Sequence, residues 1–117
     1  MKVSIIVTNY NYGKYISKCL DSLLNQNFSK QNYEVILIDD YSKDNSLKIA
    51  NKFLFFKNFK ILKNSKNLGV AASSNKGIKH AKGNFFVRVD SDDYVSKNFI
   101  KKNYNKINKK KKIFNFF

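Results

Sequence analysis

The chain has 117 residues, 43% of them hydrophobic, no proline, and 23 basic against 8 acidic side chains for a formal net charge of +15. That length builds one domain with a small core, its apolar content excludes a disordered chain, and it has no apolar run of the roughly 18 residues that would span a membrane. A single cysteine, Cys19, excludes an internal disulfide framework and fits a reducing cytosol.

Met1 to Val7 is too short for a signal peptide and lacks a small-residue cleavage site. Within it, Val3 to Val7 is an apolar run suited to a fully buried strand. It leads into Thr8-Asn9-Tyr10-Asn11-Tyr12-Gly13, which is loop chemistry. From Lys14 to Asn25 the apolar residues Tyr15, Ile16, Cys19, Leu20, Leu23 and Leu24 recur at helical spacing. Tyr33 to Ile38 is a second buried strand, and it ends in Asp39 and Asp40. Asp44-Asn45-Ser46 opens a helix with Asp44 as N-cap and with Leu47, Ile49, Ala50 and Phe53 on one face. Phe59 to Leu62 is a third, shorter strand. Asn67-Leu68-Gly69 breaks the chain, and Val70 to Ala81 is a helix of small residues stopped by Gly83. Phe85 to Val89 is a fourth strand that runs into Asp90-Ser91-Asp92-Asp93. Tyr94 to Ile100 starts one more helix. Asn103 to Lys112 reads as a solvated helix end or a frayed tail, and Ile113 to Phe117 is apolar enough for a strand. The division is a domain over residues 2–100 and a Lys/Asn-rich tail over 101–117.

Alternating strands and helices imply a mainly parallel sheet with helices over its faces. Right-handed crossovers then gather the C-terminal ends of the strands on one rim. That rim collects Thr8 to Tyr12, Asp39-Asp40 and Asp90 to Asp93, three polar clusters far apart in sequence. In extended chain Asp90 and Asp92 leave on the same side. Two hard oxygen donors there suit Mg²⁺ or Mn²⁺ beside a phosphate-bearing ligand. The competing reading is a turn, because Asp-Ser-Asp-Asp is also good turn and N-cap chemistry.

Five blocks carry a family resemblance. They are Val3 to Asn11, Leu20-Asp21-Ser22-Leu23-Leu24-Asn25-Gln26-Asn27, Glu34 to Ser42 with Asp44-Asn45-Ser46, Asn67 to Ala72 with Asn75-Lys76-Gly77-Ile78, and Ala81-Lys82-Gly83 with Asp90-Ser91-Asp92-Asp93. Over about residues 2–100 the chain resembles the N-terminal, nucleotide-sugar-binding half of a family 2 glycosyltransferase. The resemblance implies a Rossmann-like GT-A half-domain of the α/β class, mainly parallel, with helices on both faces. It implies an enzyme that transfers a sugar from a nucleotide-diphosphate sugar, UDP-linked, to a glycan or lipid-linked acceptor with inversion. It assigns nucleotide-sugar binding to Thr8, Asn9, Tyr10, Asp39, Asp40, Asn75, Asp90 and Ser91. Asp40 would meet the base and Tyr10 would pack on it. Asp92, with Asp90, would hold Mg²⁺ or Mn²⁺ against the diphosphate.

Two departures stand out. Where many members of that family carry an arginine before Asn75, this chain has Ser74, and neither Lys76 nor Lys79 offers a planar fork in its place. No carboxylate follows Asp93, so the catalytic base is expected outside these residues, in a C-terminal half. The expectation is therefore a truncated transferase, with a non-catalytic binding module or one piece of a split enzyme as the alternative. A receiver-like domain fits less well, because the first strand ends in Thr8-Asn9 rather than in an acidic pair.

His80 and Cys19 read as packing residues, and no Gly-x-Gly-x-x-Gly loop is present. Residues 97–117 hold eight lysines and no acid. With Arg88 the sole arginine, a dedicated nucleic-acid surface is not expected. The lysine-rich tail suggests peripheral contact with an anionic membrane, at the inner face of a cytoplasmic location.

Overall fold

The computed structural model describes residues 1–114. In chain order it builds β1 (Val3–Asn9), α1 (Ile16–Leu24), β2 (Tyr33–Asp39), α2 (Ser46–Asn51), β3 (Phe59–Lys63), α3 (Val70–His80), β4 (Phe85–Asp90) and α4 (Phe99–Phe114). The strands form one sheet in the order β3-β2-β1-β4, and every pair is parallel. This is the expected α/β architecture. Among the described residues no helix is long and apolar enough to cross a membrane.

Period-2 alternation divides the strands between two cores. Val3, Ile5, Val7, Val35, Leu37 and Val89 face one side, where they meet Ile16, Cys19, Leu20, Leu23 and Leu24 of α1, Ala50 of α2 and Ile100 of α4. Ile6, Ile36 and Ile38 face the other, packed with Leu62 and with Ile78 of α3. β1 and β2 are therefore buried along their whole length, as their continuous apolar runs require.

Several local details differ from the sequence reading. α2 has only six residues, and its N-cap position is Asn45, which makes no side-chain cap. Asp44 lies one residue earlier and forms an Asx-type turn, accepting the Ser46 amide at 3.0 Å and the Ser46 hydroxyl. Its other oxygen accepts the Gly13 amide at 2.9 Å, so it joins two loops rather than capping one helix. α3 ends at His80, before Gly83, and Gly83 is demanded by proximity instead. A Cβ there would lie 2.7 Å from the Ser4 nitrogen and from the Val3 carbonyl carbon.

The last helix starts at Phe99 rather than Tyr94, because α1 and the turn after it hold residues 95–97 in place. Ser22 Oγ accepts the Val95 amide at 3.2 Å, and Asn27 N donates to Lys97 O at 2.8 Å. Gln26 donates to Ser96 O at 2.6 Å and accepts the Ile100 amide at 3.0 Å. α4 then runs without a break through residue 100. Tyr104 holds it to the body, packing on Phe28 and Phe85. Ile113 and Phe114 close this helix and are not the strand their apolarity suggested; an isolated apolar run takes the conformation its neighbours propagate. The rest of that expected strand, residues 115–117, lies outside the described residues.

The close approach at Gly83 has a measurable consequence. Gly83→Ala should lower stability by about 1–3 kcal/mol in urea unfolding, since the backbone of Val3 and Ser4 would have to move aside. Lys82→Ala, which leaves the neighbouring backbone amide in place, should stay within about 0.5 kcal/mol of the parent.

Candidate functional site

Parallel register delivers β1, β2 and β4 to one rim with their ends level: Asn9 lies opposite Asp39, and Thr8 opposite Asp90. Buried polar bonds lock these ends together. Asn9 Nδ2 donates to Asp39 Oδ1 at 2.9 Å and to Ser42 Oγ at 3.2 Å. Asn9 Oδ1 accepts the Ser91 hydroxyl at 2.8 Å. Asp39 also accepts the Ser42 amide and hydroxyl, at 3.0 and 2.7 Å. Asp39 and Ser91, both expected at the ligand, are buried and bonded within the rim.

Asp40 is the hinge between β2 and α3. Its Oδ1 accepts the Leu68 amide at 2.7 Å and the Asn64 side-chain amide at 3.0 Å. Its Oδ2 accepts the Gly69 amide at 2.9 Å. Gly69 has φ +91°, a left-handed conformation that suits glycine and turns these amides onto the carboxylate. Burial pushes the Asp40 carboxyl up, but the bonds from Leu68, Asn64, Gly69 and Ser73 outweigh it and hold the group below the usual carboxylate range. Lys76 does not reach the cleft. Its ammonium donates to Lys63 O and to Asn64 Oδ1, both at 3.0 Å, and so fixes the amide that holds Asp40.

Between these walls lies a cavity of about 300 Å³ lined by Thr8, Asn9, Tyr10, Tyr12, Asp40, Val70, Ser73, Asp90 and Asp92. The structure thus brings together Thr8, Asn9, Tyr10, Asp40, Asp90 and Asp92 from the sequence reading. Asn75 is exposed on α3 and does not line the cavity. The reading placed Tyr12 on the rim without assigning it to the ligand, and it missed Val70 and Ser73. Their signal was topological: a helix that starts at the rim presents its first turn there, so the residues after Asn67-Leu68-Gly69 were candidates.

The acidic end of β4 offers one carboxylate oxygen each from Asp90, Asp92 and Asp93, all within 4.8 Å of one another. Asp92 and Asp93 are exposed and Asp90 is half-buried. An all-oxygen, all-carboxylate set fits a hard divalent cation such as Mg²⁺ or Mn²⁺. Beneath it, Cys19 Sγ lies 3.7 Å from Asp90 O. Burial, and then the charges of Asp93, Asp92 and Asp90, push this thiol up to about 12. His80 is exposed near the end of α3, with its Nδ1 2.9 Å from Lys76 O, away from the cavity.

A parallel α/β sheet with a carboxylate-lined cleft at its C-terminal edge defines a ligand-binding domain of the doubly wound class. The family model for Glycosyl transferase family 2 matches residues 4–116, and the chain belongs to that family. It is 42% identical over 107 residues to a poly(ribitol-phosphate) beta-glucosyltransferase of Bacillus spizizenii, covering 90% of this chain and 17% of that protein. It is 39% identical to glycosyltransferase GlyG of Streptococcus pneumoniae, covering 92% of this chain and 36% of that protein. The crystal structure of S. aureus TarS 1–349 in complex with UDP-GlcNAc superposes with a TM-score of 0.87 at 39% identity, covering 93% of this chain and 32% of that one. The chain therefore spans between about a sixth and a little more than a third of these three proteins.

The hydrogen bonds at Asp40 set its pH dependence. A folded-state pKa below the unfolded value stabilises the fold above the ordinary carboxylate range and loses that contribution as pH falls through the folded pKa. Asp40→Asn should therefore cost about 1–3 kcal/mol at neutral pH, and its deficit against the parent should shrink as pH falls below about 4. Urea unfolding across pH 2.5 to 7 would measure both.

Proposed function

We propose that this domain binds a nucleotide-diphosphate sugar, UDP-linked, in the rim cavity and serves transfer of the sugar to a glycan or lipid-linked acceptor. The observation that carries the reading is the convergence of three strand ends and the first turn of α3 on one carboxylate-lined cavity. Relatives named as sugar transferases, and a structural neighbour titled as a complex with UDP-GlcNAc, support it.

In this reading Asp40 meets the base. Its Oδ2 accepts the Gly69 amide, and the carboxylate lines the cavity. Held ionised, it only accepts, so it favours a base with a ring N–H, such as uracil, over cytosine. Tyr10 and Tyr12, both exposed at the mouth, offer ring faces to the base. Thr8 and the Asn9 backbone form the floor under the ribose. Asp92 and Asp90, with Asp93 beside them, would hold Mg²⁺ or Mn²⁺, which offsets charge on the diphosphate as it departs. Transfer forms a bond from the acceptor oxygen to the anomeric carbon as that carbon's bond to the diphosphate oxygen breaks. In-line attack inverts the centre, the hydroxyl proton passes to a base, and the nucleoside diphosphate leaves. The task of these residues is to hold the donor so that its anomeric carbon is open to that attack.

Calorimetric titration of UDP with and without Mn²⁺ tests the donor site. Binding should tighten by about tenfold or more with Mn²⁺, because the diphosphate and the rim carboxylates otherwise repel each other. Asp92→Ala should abolish that gain and leave uridine binding unchanged. Metal-independent UDP binding that is indifferent to Asp92→Ala would overturn the assignment.

A further inference from the structure

We propose that Arg88 is the phosphate-binding cation of this site, and that it exchanges the Asp90 carboxylate for the donor's diphosphate when Asp90 turns to a divalent ion. This rests on the reading of the cavity as a nucleotide-diphosphate site. Arg88 is the only arginine in the chain. It lies on β4 opposite Ile6, while Asp90, two residues on, lies opposite Thr8. Period 2 puts Arg88 and Asp90 on the same face, and Arg88 Nη1 stands 2.5 Å from Asp90 Oδ1 and 3.5 Å from Thr8 Oγ1. Both of those partners line the cavity.

None of the nine lining residues is basic, and three of them, Asp40, Asp90 and Asp92, are carboxylates. Among the described residues Arg88 is the one cation bonded to a wall of the cavity. A diphosphate brought there meets three carboxylates and no basic lining residue. Among the described residues the guanidinium is bonded through Nη1 alone, which leaves N–H donors in a planar fork that matches phosphate oxygens. The Arg88 and Asp90 side chains are 43% and 45% exposed, and an ion pair so open to water adds little to stability and is readily exchanged.

The exchange predicts effects of opposite sign, which a merely structural arginine would not produce. Calorimetry on the 117-residue chain would titrate uridine, UDP and Mn²⁺ separately into the parent, Arg88→Gln and Arg88→Lys. Arg88→Gln should weaken metal-free UDP binding about tenfold and leave uridine within about twofold, as loss of charge-assisted bonds to phosphate alone requires. The same variant should bind Mn²⁺ alone more tightly, because Asp90 is freed and a neighbouring positive charge is gone. Arg88→Lys should recover part of the UDP affinity, as a point charge without the fork. Parent-like UDP affinity in Arg88→Gln, equal losses for uridine and UDP, or weaker Mn²⁺ binding would each overturn the exchange. A parent chain that binds neither uridine nor UDP would instead overturn the nucleotide reading beneath it.

Discussion

The carboxamide of Asn9 is the interaction on which the rim depends. One small side chain, 2% exposed, bonds Asp39 from β2, Ser42 from the loop beyond it and Ser91 from the turn after β4. Both of its N–H donors and its oxygen have partners. Backbone bonds repeat the tie, with Asp40 N donating to Asn9 O at 2.9 Å and Ser91 N to Thr8 O at 3.2 Å. A buried network of this kind is costly if half satisfied and stiff when complete. Completed here, it sets Asp40 on one side of the central strand and Asp90 on the other. The cavity between them is a consequence of that spacing.

Electrostatics divides the molecule in two. The net charge of +15 attracts anions over long range, yet the rim itself is acidic. No lysine lines the cavity: Lys60 pairs with Glu34 at the opposite end of the sheet, and Lys101, Lys102, Lys106 and Lys109 are exposed along α4. An anionic ligand is thus drawn to the protein generally but needs a positive partner at the rim before it can settle. Among the described residues Arg88 is the one cation bonded to a wall of the cavity.

The sheet was legible because β1 and β2 are buried on both faces and read as unbroken apolar runs bounded by polar clusters. The helical stripe of α1 was legible for the complementary reason, its five buried residues falling on one face. The rim was legible only through topology, since Thr8, Asp40 and Asp90 are distant in sequence and meet through parallel register. What stayed hidden depends on side-chain reach. Nothing in the chain's periodicity says that Asp39 is consumed by Asn9 and Ser42, or that Lys76 bends beneath α3 to Asn64. The N-terminal limit of α4 was hidden too, because it is set by Ser22, Gln26 and Asn27, some seventy residues earlier in the chain. A lysine-rich end read by composition alone looks frayed. Tyr104, wedged between Phe28 and Phe85, gives it the tertiary anchor that composition does not record.

Cys19 turns this architecture into a clock. Its thiol is wholly buried, is held protonated up to about pH 12, and rests against the backbone of Asp90. Thiol reagents attack the thiolate, so the closed molecule is silent toward them. Alkylation then requires an opening that exposes the sulfur, by α1 parting from the sheet or by wider unfolding. With one sulfhydryl in the whole sequence, the rate of labelling counts those openings without any engineered probe, and it does so directly beneath the acidic end of β4.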